Sequence, residues 1–147
     1  MEKINYKTKL NELLATYQLH YQNLRSLHWN IKGQNFFELH LKYEELYNRS
    51  QVIIDDIAER ILILEEKPLF SYTQYLKSSK IEENPYISNG KEGMKYILNA
   101  QTVILSLENE LLNLSNEEND EGTSAMMRDL IREKEKTNWM FKSWLEK

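Results

Sequence analysis

The sequence has no cysteine, two prolines and four glycines in 147 residues. Without cysteine there are no disulfides, no thiolate zinc sites and no cysteine nucleophile, so a metal site must draw on His, Asp and Glu, the ligands of iron, manganese or zinc. With so few breakers, long stretches can stay helical, and an all-α chain is expected. No run of about 18 apolar residues exists, so no segment is expected to span a membrane. The opening MEKINYKTKLNELL has no apolar leader region, which points to a cytoplasmic protein. Positive charge is not in excess: the formal net charge is −4, which weighs against nucleic acid as the main partner, because phosphate contacts need a basic surface. What is present is ordinary for a globular chain, 41% hydrophobic and 29% charged residues, and 1–147 is long enough to form one domain with a real core.

Four long amphipathic segments stand out. The first runs from Tyr6 to Asn30, with Leu10, Leu13, Leu14, Tyr17, Tyr21 and Leu24 at helical spacing, and Gly33 breaks it. The second runs from Asn35 to Glu66, about 45 Å of helix, and stops before Pro68. A long connection from Pro68 to Gly90 leaves room for one short helix over Ser71 to Ser79. The third segment runs from Lys91 to Ser115 and the fourth from Thr123 to Glu146, with the acidic loop NEENDEG at 116–122 between them. Four such helices with a long link between the second and third predict a ferritin-like four-helix bundle with a short extra helix in the crossover.

The second helix carries two working faces. Leu39, Tyr43, Leu46, Ile53, Ile57, Ile61 and Leu64 form one stripe, directed at the chain's own core. His40, Glu44, Asp55 and Glu59 lie roughly 100–200° away, together with Phe37, Leu41, Val52 and Leu62. A helix apolar on both sides is buried on both sides, so the outward face is expected to meet another chain. His40 and Glu44 are one turn apart and suit one metal ion, as do Asp55 and Glu59, but the two pairs are about 22 Å apart along a straight helix. Two copies crossing antiparallel about a two-fold axis would bring the His40/Glu44 end of one to the Asp55/Glu59 end of the other and make two equivalent sites, with His28 able to complete each. The blander readings stand beside this one. A histidine on an amphipathic helix is usually core or surface, His28 lies on the core stripe of its helix, acidic helix faces are usually just solvated, and His20 has no supporting neighbours and reads as structural.

The stretch from His28 to Glu44, H-W-x-I-x-G-x5-L-H-x3-E, resembles the signature of the Dps family, the mini-ferritins. IDDIAERILILEEKP, at 54–68, resembles that family's second signature, and the tryptophan in EKEKTNWMF, at 133–141, extends the likeness. The resemblance implies a ferroxidase centre at a dimer interface, with His28, His40 and Glu44 from one chain and Asp55 and Glu59 from its mate, oxidising Fe(II) with hydrogen peroxide in preference to dioxygen and storing ferric mineral in a hollow dodecamer built from two-fold dimers. Glu44 is Asp in many members, and Glu65 stands where the family more often has Gly, Asp or Asn. Trp29 resembles the aromatic beside the centre, a candidate sacrificial electron donor. Glu117, Glu118, Asp120 and Glu121 sit where members often line an iron-entry pore, although a solvated acidic turn explains any one of them equally well. Some members coat DNA with a Lys-rich tail; here only Lys3, Lys7 and Lys9, offset by Glu2, precede the first helix, so DNA binding is possible but not favoured. An ordinary di-iron site inside one bundle would need Glu-x-x-His on two helices, and that motif does not occur.

Overall fold

The computed structural model describes residues 5–146; among them are five helices and no strand: α1 (Tyr6–Asn30), α2 (Phe36–Ile63), α3 (Tyr72–Ser78), α4 (Gly90–Glu117) and α5 (Glu121–Leu145). The expected all-helical fold with a short helix in the crossover is the one observed. Side-chain caps fix most of the starts, each accepting a bond from a backbone N–H that a helix leaves unpaired. Asn5 accepts from Lys7 N, Asn89 from Glu92 N and Asp120 from Thr123 N, while Ser71 and Gln74 cap α3 reciprocally. Lys3 and Glu2, weighed above, lie outside the described residues. No helix among the described residues is long and apolar enough to cross a membrane.

The helix ends differ most from the periodicity at two places. α2 ends at Ile63, although the pattern runs to Glu66, because Glu65 turns left-handed (φ 64°) and Glu66 N donates back to Ile61 O, closing the helix before Pro68. The acidic loop shrinks from 116–122 to 118–120. Asn119 turns left-handed (φ 58°), Asp120 N donates to Ser115 O, and Asp120 at once caps α5. Glu117 therefore ends α4 and Glu121 begins α5.

The interior splits into two apolar clusters. One joins Leu10, Leu13 and Leu14 of α1 to Ile53, Ile57 and Ile61 of α2, Ile104 and Leu111 of α4, and Met127 and Leu130 of α5. The other joins Leu24 and Leu27 to Leu39 and Tyr43, Met94 and Ile97, and Phe141. The beginning of α1 thus meets the ends of α2 and α4, so α2 and α4 run parallel, as a crossover spanning the bundle's length requires. Between the clusters lies a buried polar waist containing His20, Ser50, Gln101, Lys134 and Asn138.

Candidate metal centre

Gly33, at φ +101°, turns the chain from α1 into α2 and sets the last turn of one helix beside the first turns of the next. The two histidines of the first motif meet across this corner. His28 Nδ1 lies 2.6 Å from His40 O, and His40 Nδ1 lies 2.8 Å from His28 O. A carbonyl can only accept, so both Nδ1 atoms carry a proton and donate it, which leaves Nε2 as the nitrogen through which either neutral ring could bind a metal. The rings stack, with centroids 3.7 Å apart and planes 14° apart. Phe36 stacks on His40 at 4.9 Å, and Tyr47 meets His28 edge-on at 5.3 Å. Glu44 Oε1 stands 3.8 Å from His28 Nε2.

The second pair is different. Asp55 and Glu59 are both exposed on the outward side of α2. A hydrogen bond shared with Asp55, together with that neighbour's negative charge, pushes the Glu59 carboxyl above its ordinary range. Two carboxylates this close share a proton or take a cation. The structure brings His28, His40 and Glu44 together and leaves Asp55 and Glu59 at the other end of the helix. Among the described residues of one chain no group of three His, Asp or Glu forms a metal site. Between and around the two pairs the same face exposes Phe37 (85%), Leu41 (57%), Val52 (52%) and Leu62 (58%), the unburied apolar surface expected from the helical wheel.

The acidic turn divides into two kinds of residue. Glu117, Glu118 and Glu121 are exposed. Asp120 instead knots the turn. One oxygen takes Arg60 Nη2 (2.8 Å) and Thr123 N, and the other takes Thr123 Oγ1 (2.6 Å) and Tyr6 Oη (2.9 Å). Burial alone would raise the Asp120 pKa, but these bonds and the Arg60 charge outweigh it and hold the carboxyl below its ordinary value. Trp29 is 57% exposed, and its ring faces the Arg25 guanidinium, 4.9 Å from the centroid. The oxidisable ring that touches the histidine pair is Tyr47, which the sequence reading did not single out.

It also missed the charges of the waist. Lys134 Nζ donates to Tyr17 Oη (2.7 Å), and Tyr17 Oη donates to Glu108 Oε2 (2.7 Å). Burial pushes Glu108 up and Lys134 down, each opposed by the other's charge, and burial with the nearby Lys134 lowers His20 to about 3, so that imidazole is neutral and structural, as expected. The signal was available: Lys134 and Asn138 continue the spacing of Met127, Leu130 and Phe141 along the buried face of α5.

The ferritin-like domain model matches residues 7–147. General stress protein 20U of Bacillus subtilis is 34% identical over 136 residues, covering 92% of this chain and 94% of the relative. DNA protection during starvation protein 2 of Bacillus anthracis is likewise 34% identical, covering 92% and 93%. The crystal structure of a Dps protein from Vibrio cholerae O1, described as a member of a broad superfamily of ferritin-like diiron-carboxylate proteins, superposes with a TM-score of 0.95 at 45% identity, covering 96% of this chain and 89% of that one.

Proposed function

We propose that this chain, which belongs to the ferritin-like family and within it to the Dps proteins, is a cytoplasmic iron-detoxifying and iron-storing mini-ferritin that oxidises Fe(II) at centres shared between two subunits. The observation that carries the reading is the reciprocal histidine pair. Two imidazoles each spend Nδ1 on the other's backbone carbonyl, which leaves both Nε2 atoms for a metal, and a carboxylate lies alongside. Neutral imidazole and carboxylate suit Fe(II). Asp55 and Glu59 of a second subunit complete each centre when two α2 helices cross antiparallel, and the exposed Phe37, Leu41, Val52 and Leu62 are buried in the same step. Iron is the substrate. Two Fe(II) each give one electron to hydrogen peroxide, which takes two protons and leaves as two waters. Paired oxidation releases no hydroxyl radical, and ferric mineral collects in a hollow dodecamer. Glu117, Glu118 and Glu121 line the entry and draw cations inward; Asp120 holds their turn in shape.

The names of the Bacillus anthracis and similar relatives favour a second reading, DNA protection by direct binding. Against it, Lys7 pairs with Glu66 and donates to Leu64 O, and Lys9 pairs with Glu12 and Glu110. A gel shift at stepped salt concentrations tests it: a shift that weakens with salt supports DNA binding, and its absence at low salt removes it.

The function itself is tested by loading purified protein with Fe(II) without oxygen and then adding peroxide. Wild type should oxidise the iron quickly and keep the ferric product in solution, while the His40→Ala/Glu59→Ala double variant should be much slower. Equal behaviour of the two proteins would remove the ligand assignment.

A further inference from the structure

Among the described residues the stacked histidine pair has two ring neighbours. Phe36 covers His40, and a benzene ring gives up no electron under these conditions. Tyr47 stands edge-on to His28, 5.3 Å between centroids and 83° between planes, and a phenol does give up an electron, together with its proton. Behind Tyr47 stands Tyr21, again edge-on, at 6.0 Å. Tyr21 in turn lines a cleft of about 220 Å³ between α1 and α3, whose walls include Tyr72 and Tyr75. The rings therefore run in contact from a metal-ligating imidazole to an open cleft. Both Tyr47 and Tyr21 are half-buried in the single chain, and the proton that leaves the Tyr47 hydroxyl is taken up in the water formed from peroxide.

We propose that Tyr47, backed by Tyr21, is the electron donor that completes peroxide reduction when the centre holds a single Fe(II). The proposal rests on the ferroxidase reading above. Peroxide needs two electrons, and a half-filled centre supplies one. Tyr47 supplies the other: one Fe(II), one hydrogen peroxide, the phenol and one proton give Fe(III), two waters and a neutral tyrosyl radical. Without the phenol the same encounter releases hydroxyl radical. Electron transfer then passes the radical on, as Tyr21 loses an electron and its proton while Tyr47 regains both. Trp29, the aromatic marked by the motif, is placed less well for this role. Arg25 lies over its ring at 4.9 Å, and an oxidised indole first bears a positive charge that the guanidinium opposes. Arg25 also lies over Tyr21, at 5.3 Å, but an oxidised phenol sheds its proton and stays neutral.

The test uses the assembled protein with tyrosines ring-deuterated. Less than one Fe(II) per centre is added without oxygen, then peroxide, and samples are frozen rapidly for electron paramagnetic resonance with a spin trap run in parallel. Wild type should give a tyrosyl signal narrowed by the deuterium. Tyr47→Phe, which keeps the ring, should lose that signal and release several-fold more trapped hydroxyl radical. Tyr21→Phe should keep the signal and slow its decay, and Trp29→Phe should leave the signal in place. Iron oxidation in wild type at full loading is followed in the same preparation. Wild type that oxidises iron without a tyrosyl signal, or a signal that survives Tyr47→Phe, overturns the relay alone. Wild type that oxidises no iron above buffer overturns the reading of the centre and the relay with it.

Discussion

The two halves of α2 carry the same number of candidate ligands but prepare them differently. Near its start, His40 is held by a hydrogen bond to the backbone of α1, by a stacked histidine on one face and by Phe36 on the other. Fifteen residues on, Asp55 and Glu59 point out of the bundle, repel each other and share a hydrogen bond that raises Glu59. The first half is preorganised by its own chain, and the cost of fixing it was met on folding. The second is an electrostatic liability until a cation arrives. On the proposed reading, a single bundle holds half a centre prearranged and offers the other half to a neighbour.

The largest effect separates this comparison from a site inside one chain. Either His40→Ala or Glu59→Ala should slow iron oxidation by at least about 100-fold, since even residues that only orient metal ligands cost 10–100-fold. Stopped-flow absorbance of the ferric product reads it, and a variant as fast as wild type would remove that half from the centre. The next effect belongs to the waist between the halves. His20 is lowered from 6.5 to about 3, so it folds neutral and charges readily when unfolded. Stability from this group is complete above pH 6.5 and falls as pH drops toward 3, by up to about 4 kcal/mol. Chemical denaturation across that window should show the slope in wild type and a flatter one in His20→Gln. In metal-free protein, His40→Ala should cost about 1–2 kcal/mol through the lost stacking and hydrogen bond, read as a lower Tm. Glu65→Gly should gain about 1 kcal/mol, because a left-handed residue closes α2 and glycine adopts that conformation without strain. The smallest effect has the opposite sign to His40→Ala: Glu59→Gln should raise the Tm of metal-free protein slightly by removing the repulsion with Asp55. Destabilisation there would mean the second half is also preorganised.

Much of this architecture is legible in the residues. The four amphipathic segments, the break at Gly33 and the outward apolar face of α2 follow from apolar spacing, which registers any helix with a buried side. Helix ends are less legible because they depend on backbone conformation: nothing about Glu65 or Asn119 in isolation says that either turns left-handed. The waist was missed for another reason. A pattern of apolar residues passes over Lys134 and Glu108, whose burial is offset by each other's charge and by Tyr17, which accepts from one and donates to the other. Of the site, the motif pointed to His28 and His40, but their reciprocal bonds and the contact with Tyr47 depend on the angle at which α1 meets α2, while the displacement of Asp120 from the acidic set into a structural knot depends on where α5 starts beside Arg60 and Tyr6.

The claim that each centre is shared between subunits is tested most directly by complementation. His40→Ala and Glu59→Ala proteins are dissociated, mixed, reassembled and assayed for peroxide-driven iron oxidation against each variant alone. In a mixed dimer one centre loses both groups and the other keeps both, so random mixing should restore activity to about a quarter of the wild-type level. Activity no higher than that of the separate variants, with mixed dimers shown to have formed, would place all the ligands of a centre in one chain and contradict the account.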